Sequence, residues 1–175
     1  MDESTMSLFF ALLSLLALGL AALAGASLVT SRLAPLRDAV RDGGLWVATA
    51  VAATAMAGSL YYSEQANFRP CTYCWYQRIA MYPLVVVLVI AAARRSRDAH
   101  WTVVPLATIG AAISIYHYQL QVFPDQGSSC GLDAPCTFRW VEQFGFISIP
   151  FMALSGFLAI IALTLAARPE EAPAR

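Results

Sequence analysis

The sequence predicts an all-α membrane protein: an antiparallel four-helix transmembrane bundle plus one extra N-terminal transmembrane helix. Composition is the first ground for this. Of 175 residues, 59% are hydrophobic and 13% charged, against about 25% charged in an ordinary soluble domain. Mean hydropathy is +0.62, so there is too little polar surface to cover a globule in water. The second ground is five apolar runs, 6–31, 45–62, 74–93, 101–122 and 147–167, each near the ~20 residues with which a helix crosses a hydrocarbon core. The third is the absence of strand alternation. The runs are too long for barrel strands, and a lone apolar strand leaves its backbone unsatisfied in lipid.

The first run, within 1–31, reads as a retained extra helix at one side of the core and peripheral to the chemistry. Ala24-Gly25-Ala26 resembles a signal-peptide cleavage site, but the chain opens Met1-Asp2-Glu3 instead of with a basic leader. Residues 32–44 are charge-rich and read as a cytoplasmic linker lying on the membrane surface. Residues 45–167 form the four-helix core, with close helix approach expected over 48–59 and at Gly110, Ala111 and Ser114. Residues 168–175 are a cytoplasmic tail.

Arginine placement orients the bundle. All eleven basic residues are Arg. Arg32, Arg37, Arg41, Arg94, Arg95, Arg97, Arg168 and Arg175 fall on one side by alternation, leaving Arg69, Arg78 and Arg139 toward the other. The positive-inside rule makes the Arg-rich side cytoplasmic, so the loops 62–74 and 122–146 face outward. Aromatics suit the interfaces, with Trp46 and Trp101 at the inner level and Tyr61, Tyr62, Trp75, Tyr76, Tyr116, Tyr118 and Trp140 at the outer. A formal net charge of zero gives no reason to expect a nucleic-acid partner.

The chemistry lies in four cysteines, all in the outward loops. Cys71 and Cys74 form a C-x-x-C, and Cys130 and Cys136 are separated by five residues. On the oxidising side of a membrane such cysteines form disulfides, and two vicinal pairs can exchange by thiolate attack. Three pairings are possible from the residues alone. Cys71-Thr72-Tyr73-Cys74 stands after Pro70, where a loop turns into the third apolar run. There the unpaired N–H groups and the helix dipole favour the reactive thiolate. Arg78 follows Cys74 by one turn on the same face, and an arginine in a membrane segment marks a cavity or partner. A redox pair beside a cation suits an acceptor that arrives through lipid and becomes anionic on reduction, which describes a quinone. The second pair sits among Pro124, Asp125, Gly127, Ser128, Ser129, Gly131, Asp133 and Pro135, a turn-rich loop expected to carry a mobile disulfide to a soluble thiol. Residues 138–144 mix aromatic and polar side chains and are expected to lie flat at the interface.

Pro70-Cys71-Thr72-Tyr73-Cys74-Trp75-Tyr76-Gln77-Arg78 resembles the P-C-x-x-C-x-Y-x-R signature of the disulfide-bond formation protein B family (DsbB), closest to its BdbC-type branch. Ile79-Ala80-Met81-Tyr82-Pro83, the stretch 113–118 and Gly145-Phe146-Ile147-Ser148-Ile149-Pro150-Phe151 extend the likeness over about 45–167. The resemblance implies a bacterial inner-membrane oxidoreductase that reoxidises a DsbA-like thioredoxin-fold partner and passes electrons to the membrane quinone pool, ubiquinone or menaquinone. It implies that Cys71 and Cys74 form the quinone-proximal disulfide, with Cys74, Arg78 and His117 near the quinone. It implies that Cys130 pairs with Cys136, Cys130 taking the partner's attack and Cys136 exchanging with Cys71. The extra N-terminal helix departs from the family's usual four.

Other readings stand beside this one. A vitamin-K-epoxide-reductase-like enzyme has a similar bundle, but its C-x-x-C belongs to the last core helix, whereas here the motif opens the second. Zinc on four thiolates, or two static disulfides, would make a non-enzymatic membrane protein; no metal is expected. Arg78 would then only snorkel, and His117, between Tyr116 and Tyr118, would be a packing residue. Gln77 and Tyr76 are expected to pack, with lining of the site as the other reading, and Glu64, Asp125, Asp133 and Glu142 to be solvated.

Overall fold

Five helices follow one another: α1 Glu3–Val29, α2 Ala34–Leu60, α3 Thr72–Ala93, α4 His100–Val122 and α5 Ile149–Ala166. This computed structural model describes residues 3–96, 98–126, 130–131 and 134–168. Each helix is long and apolar enough to cross a membrane. Among the described residues the only extended pairing is an isolated bridge between Gln143 and Ile147.

Helices α2 to α5 make an antiparallel ring in which each packs on the next and α5 closes back on α2. Helix α1 lies outside the ring against α5, with a smaller contact to α2. Its buried face is made of small residues, Ser7, Ala11, Ser14, Ala24 and Ser27, which let helix backbones approach closely. Its large side chains point away; Leu12, Leu16 and Leu23 are each more than half exposed, as lipid-facing residues are. The ring encloses Met81, Leu84, Leu88, Val103, Phe157 and Ile160. At Gly110 the approach is closest, since a Cβ there would fall on the Phe157 ring.

The stretch expected as a linker is helical. After a 3-10 turn at Ser31–Leu33, α2 starts at Ala34 with Pro35 in its first turn, where proline's missing N–H removes no helical bond. The charges that suggested a linker sit at helical spacing, and Arg41 pairs with Asp38 at 3.2 Å. Gly44 serves packing. A Cβ at Gly44 would stand 3.3 Å from the Leu163 carbonyl and 3.4 Å from Ala167 Cβ, so glycine lets α2 pass close to the end of α5.

The helix ends place the two cysteine loops together. Helix α2 loosens into a wider turn over Tyr61–Gln65, where the Ala66 N–H bonds the Tyr61 carbonyl at 3.1 Å and the Phe68 N–H bonds Tyr62 at 2.9 Å; such widened turns recur at functional sites. Asn67 then turns the chain at φ 54°. At its far end α3 closes with Arg95 at φ 50° and a bond from the Ser96 N–H to the Ala91 carbonyl of 2.9 Å, a left-handed C-terminal cap. Residues 138–144 do not form a helix. They run in irregular chain to a tight turn with Phe144 at φ 53° and Gly145 at φ 76°, and Phe138, Phe144 and Phe146 stay exposed.

Candidate active site

Helix α3 begins at its first cysteine. Pro70 cannot extend the helix backward, and Cys71, in extended conformation, is its N-cap. The Cys74 N–H donates to the Cys71 sulfur at 3.4 Å, so one of the helix's unpaired N–H groups falls on that sulfur. The two sulfurs lie 3.1 Å apart as a dithiol, roughly 1 Å from disulfide bonding distance. His117 of α4 is buried and brings Nε2 to 3.5 Å from Cys71 Sγ. Its Nδ1 has no hydrogen-bond partner among the described residues. The Cys71 thiol is drawn below its ordinary value, to about 4, first by the hydrogen bond from Cys74 and then by His117, against burial, which pushes it up. At neutral pH the reduced pair therefore carries an anion on Cys71.

Cys74 faces a different environment. It lines a cavity of about 330 Å³ together with Gln77, Arg78 and Tyr82 of α3, Ser59 of α2 and Phe10 of α1. Arg78 is half-buried and held on that cavity, its Nε donating to Ser59 Oγ and its Nη2 to the Ser59 carbonyl, both at 2.9 Å. Tyr82 donates to the same hydroxyl at 3.2 Å, and Trp75 stacks under the guanidinium at 5.2 Å. The cation that the sequence places one turn below Cys74 thus shares one cavity with it. His117 does not. It borders a small adjoining gap of about 10 Å³ with Cys71, Gln121 and Phe138, and Cys74 lines both spaces.

The second pair is a disulfide between Cys130 and Cys136, with Cα atoms 5.9 Å apart. Cys136 is fully buried, and Cys71, Leu120 and Cys136 form one cluster with Cys74, Cys130 and Tyr73 packed against it. Instead of standing off into solvent, the loop cysteine is folded down onto α3. Gly127, Ser128, Ser129 and Asp133, read as part of that turn-rich loop, lie outside the described residues. Aromatic stacking ties the loops together. Tyr62 stacks on Phe68 at 5.5 Å and Phe68 on Trp140 at 4.9 Å, a ladder that lines the cavity. Arg139 locks the second loop by donating to Glu142 at 2.9 Å and to the Gln121 carbonyl at 3.1 Å, so Glu142 is paired, not merely solvated.

Three site residues carry no sequence signal for the role they play here. Ser59 is one small residue in an alanine-rich run, and only its contact with Arg78 makes it a clamp. Ser114 accepts from Gln77 Nε2 at 2.8 Å and donates to the Gly110 carbonyl at 2.8 Å, which makes Gln77 a fixed wall of the cavity; a glutamine one residue before Arg78 was the available hint. Phe68 lies in a polar loop, where the aromatic ladder cannot be read. Tyr76 is exposed.

The sequence profile described as Disulfide bond formation protein DsbB matches residues 42–167. The chain is 44% identical over 128 residues to a probable disulfide formation protein C 1 of Bacillus cereus, an overlap covering 71% of this chain and 91% of that protein. It is 47% identical over 119 residues to the disulfide bond formation protein C of Bacillus subtilis, covering 67% and 86%, and 44% identical over 120 residues to a probable disulfide formation protein of Oceanobacillus iheyensis, covering 67% and 83%. No solved structure matches the chain. A cysteine pair on a transmembrane helix, a second pair packed onto it and these relatives agree: the chain belongs to the DsbB family and is a multi-pass membrane oxidoreductase of disulfide bond formation.

Proposed function

We propose that the chain reoxidises an extracytoplasmic thioredoxin-fold protein of DsbA type and passes the two electrons to a quinone of the bacterial cell membrane, ubiquinone or menaquinone. The observation that carries this is the two-faced placement of one cysteine pair. Cys71 packs with Cys136 while Cys74 opens with Arg78 onto an apolar cavity. The cavity fits a quinone in chemistry: polar donors sit beside the sulfur, and the remaining walls are hydrocarbon. The arginines gathered at the opposite end support an outward orientation of both cysteine pairs. The catalytic unit in this reading is the four-helix core, 45–167.

The cycle is sulfur exchange followed by electron transfer. A partner thiolate attacks Cys130, and the partner's second thiolate then closes its disulfide and leaves Cys130 and Cys136 reduced. The Cys136 thiolate attacks Cys71 and expels Cys74; Cys130 then attacks Cys136, which restores the loop disulfide and releases Cys71 as a thiolate. Its low thiol pKa makes Cys71 a good leaving group in that step. His117 serves the Cys71 sulfur, which its Nε2 reaches at 3.5 Å. Cys71 and Cys74 finally close to their disulfide and give up two electrons. A quinone bound beside them takes up those electrons and two protons and leaves as the quinol. Arg78 offers its guanidinium to the negative charge that develops on the acceptor's oxygen, worth more in a low-dielectric cavity than in water.

A second reading has one observation in its favour. Cys71, Cys74 and His117 bring three ligand atoms within 4.8 Å of one another, a metal-like cluster. Two thiolates on one zinc stand roughly 3.8 Å apart, given Zn–S near 2.3 Å and tetrahedral angles, whereas these sulfurs are at 3.1 Å, a spacing better suited to disulfide closure. Anaerobic mixing of purified protein with quinone and a reduced thioredoxin-fold protein tests the proposal. Quinol absorbance should appear at one equivalent per partner disulfide formed. Absent quinol, with stoichiometric zinc on the purified chain, would replace the oxidase by the metal reading.

A further inference from the structure

Helix α1 forms one side of the cavity that Cys74 and Arg78 open onto. Leu13, Ala17 and Leu20 of α1 line it, spaced four and three residues apart and so on one helical face, across from Val47, Val51 and Ala55 of α2. The helix is fixed there by two contacts at its upper end. The Phe10 ring lies on Gly58, where a Cβ would come within 3.0 Å of it. The Tyr62 hydroxyl donates to Ser7 Oγ at 3.4 Å.

The cavity is polar at one end only. Its donors and sulfur, Cys74, Gln77, Arg78, Ser59 and Tyr82, gather at the cysteine end. From Ser59 to Val47 on α2 the lining continues for about 18 Å at 1.5 Å per residue. In that stretch the polar lining groups are Ser14 and Thr54, and the Ser14 hydroxyl is already donated to the Ala11 carbonyl at 2.7 Å. A ring alone would occupy the polar end and leave the apolar length without contact. A ring bearing a long hydrocarbon tail matches both parts. The family profile begins at residue 42, so the α1 wall is contributed by a segment outside the matched region.

We propose that α1 is the tail-binding wall of the acceptor site: Leu13, Ala17 and Leu20, with Val47 and Val51, form a channel that makes the enzyme selective for polyprenylated quinones over tailless ones. The proposal rests on the quinone reading above and adds a role for the helix that the sequence leaves peripheral.

The test uses the full chain in lipid nanodiscs and two quinones with the same ring, one with a polyprenyl tail and one without. Leu20→Trp fills the far end of the channel. It should raise the ratio of the tailed to the tailless KM by roughly tenfold or more, the equivalent of about two buried methylene groups. A second readout needs neither variant nor turnover: a quinone with a photoreactive group on its tail, bound to the wild-type chain, should label the α1 peptide containing residues 13–20, and unlabelled tailed quinone should compete. Labelling confined to other helices, or a KM ratio unmoved in a variant that still labels, would overturn the α1 channel. If the wild type reduces neither quinone, the acceptor reading itself has failed; if it reduces both but the tail never marks α1, only this inference falls.

Discussion

The two cysteine pairs do related chemistry in opposite structural settings. Cys71 and Cys74 sit on the first turn of a transmembrane helix, where one sulfur takes a helix N–H and the other opens onto a cavity with a clamped arginine. Cys130 and Cys136 sit in irregular chain, held by their own disulfide, by burial of Cys136 and by an aromatic ladder shared between loops. Helix placement gives the first pair a thiolate and a fixed direction. Loop placement gives the second a sulfur, Cys130, that is half-buried, not sealed, and so within a partner's reach. In the proposed cycle the difference also favours one direction of electron flow: an environment that stabilises the Cys71 thiolate stabilises the reduced form of its pair, which suits that pair to accept electrons from the loop pair.

The comparison is broken most severely by removing the cavity sulfur. Cys74→Ser should abolish quinone reduction by a thioredoxin-fold dithiol, with quinol formation falling to the uncatalysed rate, while the Cys130–Cys136 disulfide still accepts one partner thiolate. Turnover at the wild-type rate would mean that Cys74 does not face the acceptor.

A smaller effect is expected from the cation. Arg78→Met removes a charge-assisted contact of about 1.5–3 kcal/mol, which corresponds to roughly 10- to 100-fold in apparent quinone KM, and should leave the KM for the partner protein close to wild type. Steady-state kinetics with each substrate varied in turn separate these, and an equal loss on both sides would instead mark a folding defect. The clamp should act in the same direction but more weakly: Ser59→Ala removes the hydroxyl that Nε donates to and leaves the backbone carbonyl contact and the charge in place.

The mildest test is the pH profile of alkylation in the reduced chain. The reduced Cys71 thiol lies near 4, below its ordinary value, so its thiolate persists as pH falls from neutral and is lost only as pH passes down through about 4. Cys71 should therefore label at a nearly constant rate between neutral pH and mildly acidic pH, whereas a free cysteine added as an internal standard slows tenfold for each unit below its ordinary range near 8.5. Mass spectrometry of the labelled Cys71 peptide and of the standard gives the two rates. His117→Ala should move the Cys71 midpoint upward, because it removes the second of the two groups that favour the anion.

What was legible in the sequence was whatever is written locally. Apolar runs of helical length, the C-x-x-C after Pro70 and the arginine one turn further on all follow from spacing along one chain. What was hidden depends on which helix lies beside which. Ser59 becomes the arginine's clamp only because α2 and α3 are neighbours. His117 was expected beside the quinone on resemblance, and its contact with Cys71 at 3.5 Å could not be read from the sequence, because it depends on which turn of α4 reaches the cap of α3. The helical state of residues 34–44 was obscured by their charges, which read as a surface linker, and only the neighbouring α5 shows why Gly44 is there: it permits close passage of that helix. The α1 wall was invisible because a uniformly apolar helix gives no sign of which face meets protein and which meets lipid.

The most direct measurement uses the Cys130→Ser/Cys136→Ser double variant, fully reduced and mixed anaerobically with one equivalent of quinone, followed by thiol counting and quinol absorbance. Loss of both remaining thiols with one quinol formed per chain is the predicted result, since the helix pair alone holds the sulfur, the cation and the cavity. Two thiols still free after quinone addition, in a variant that remains folded, would contradict it.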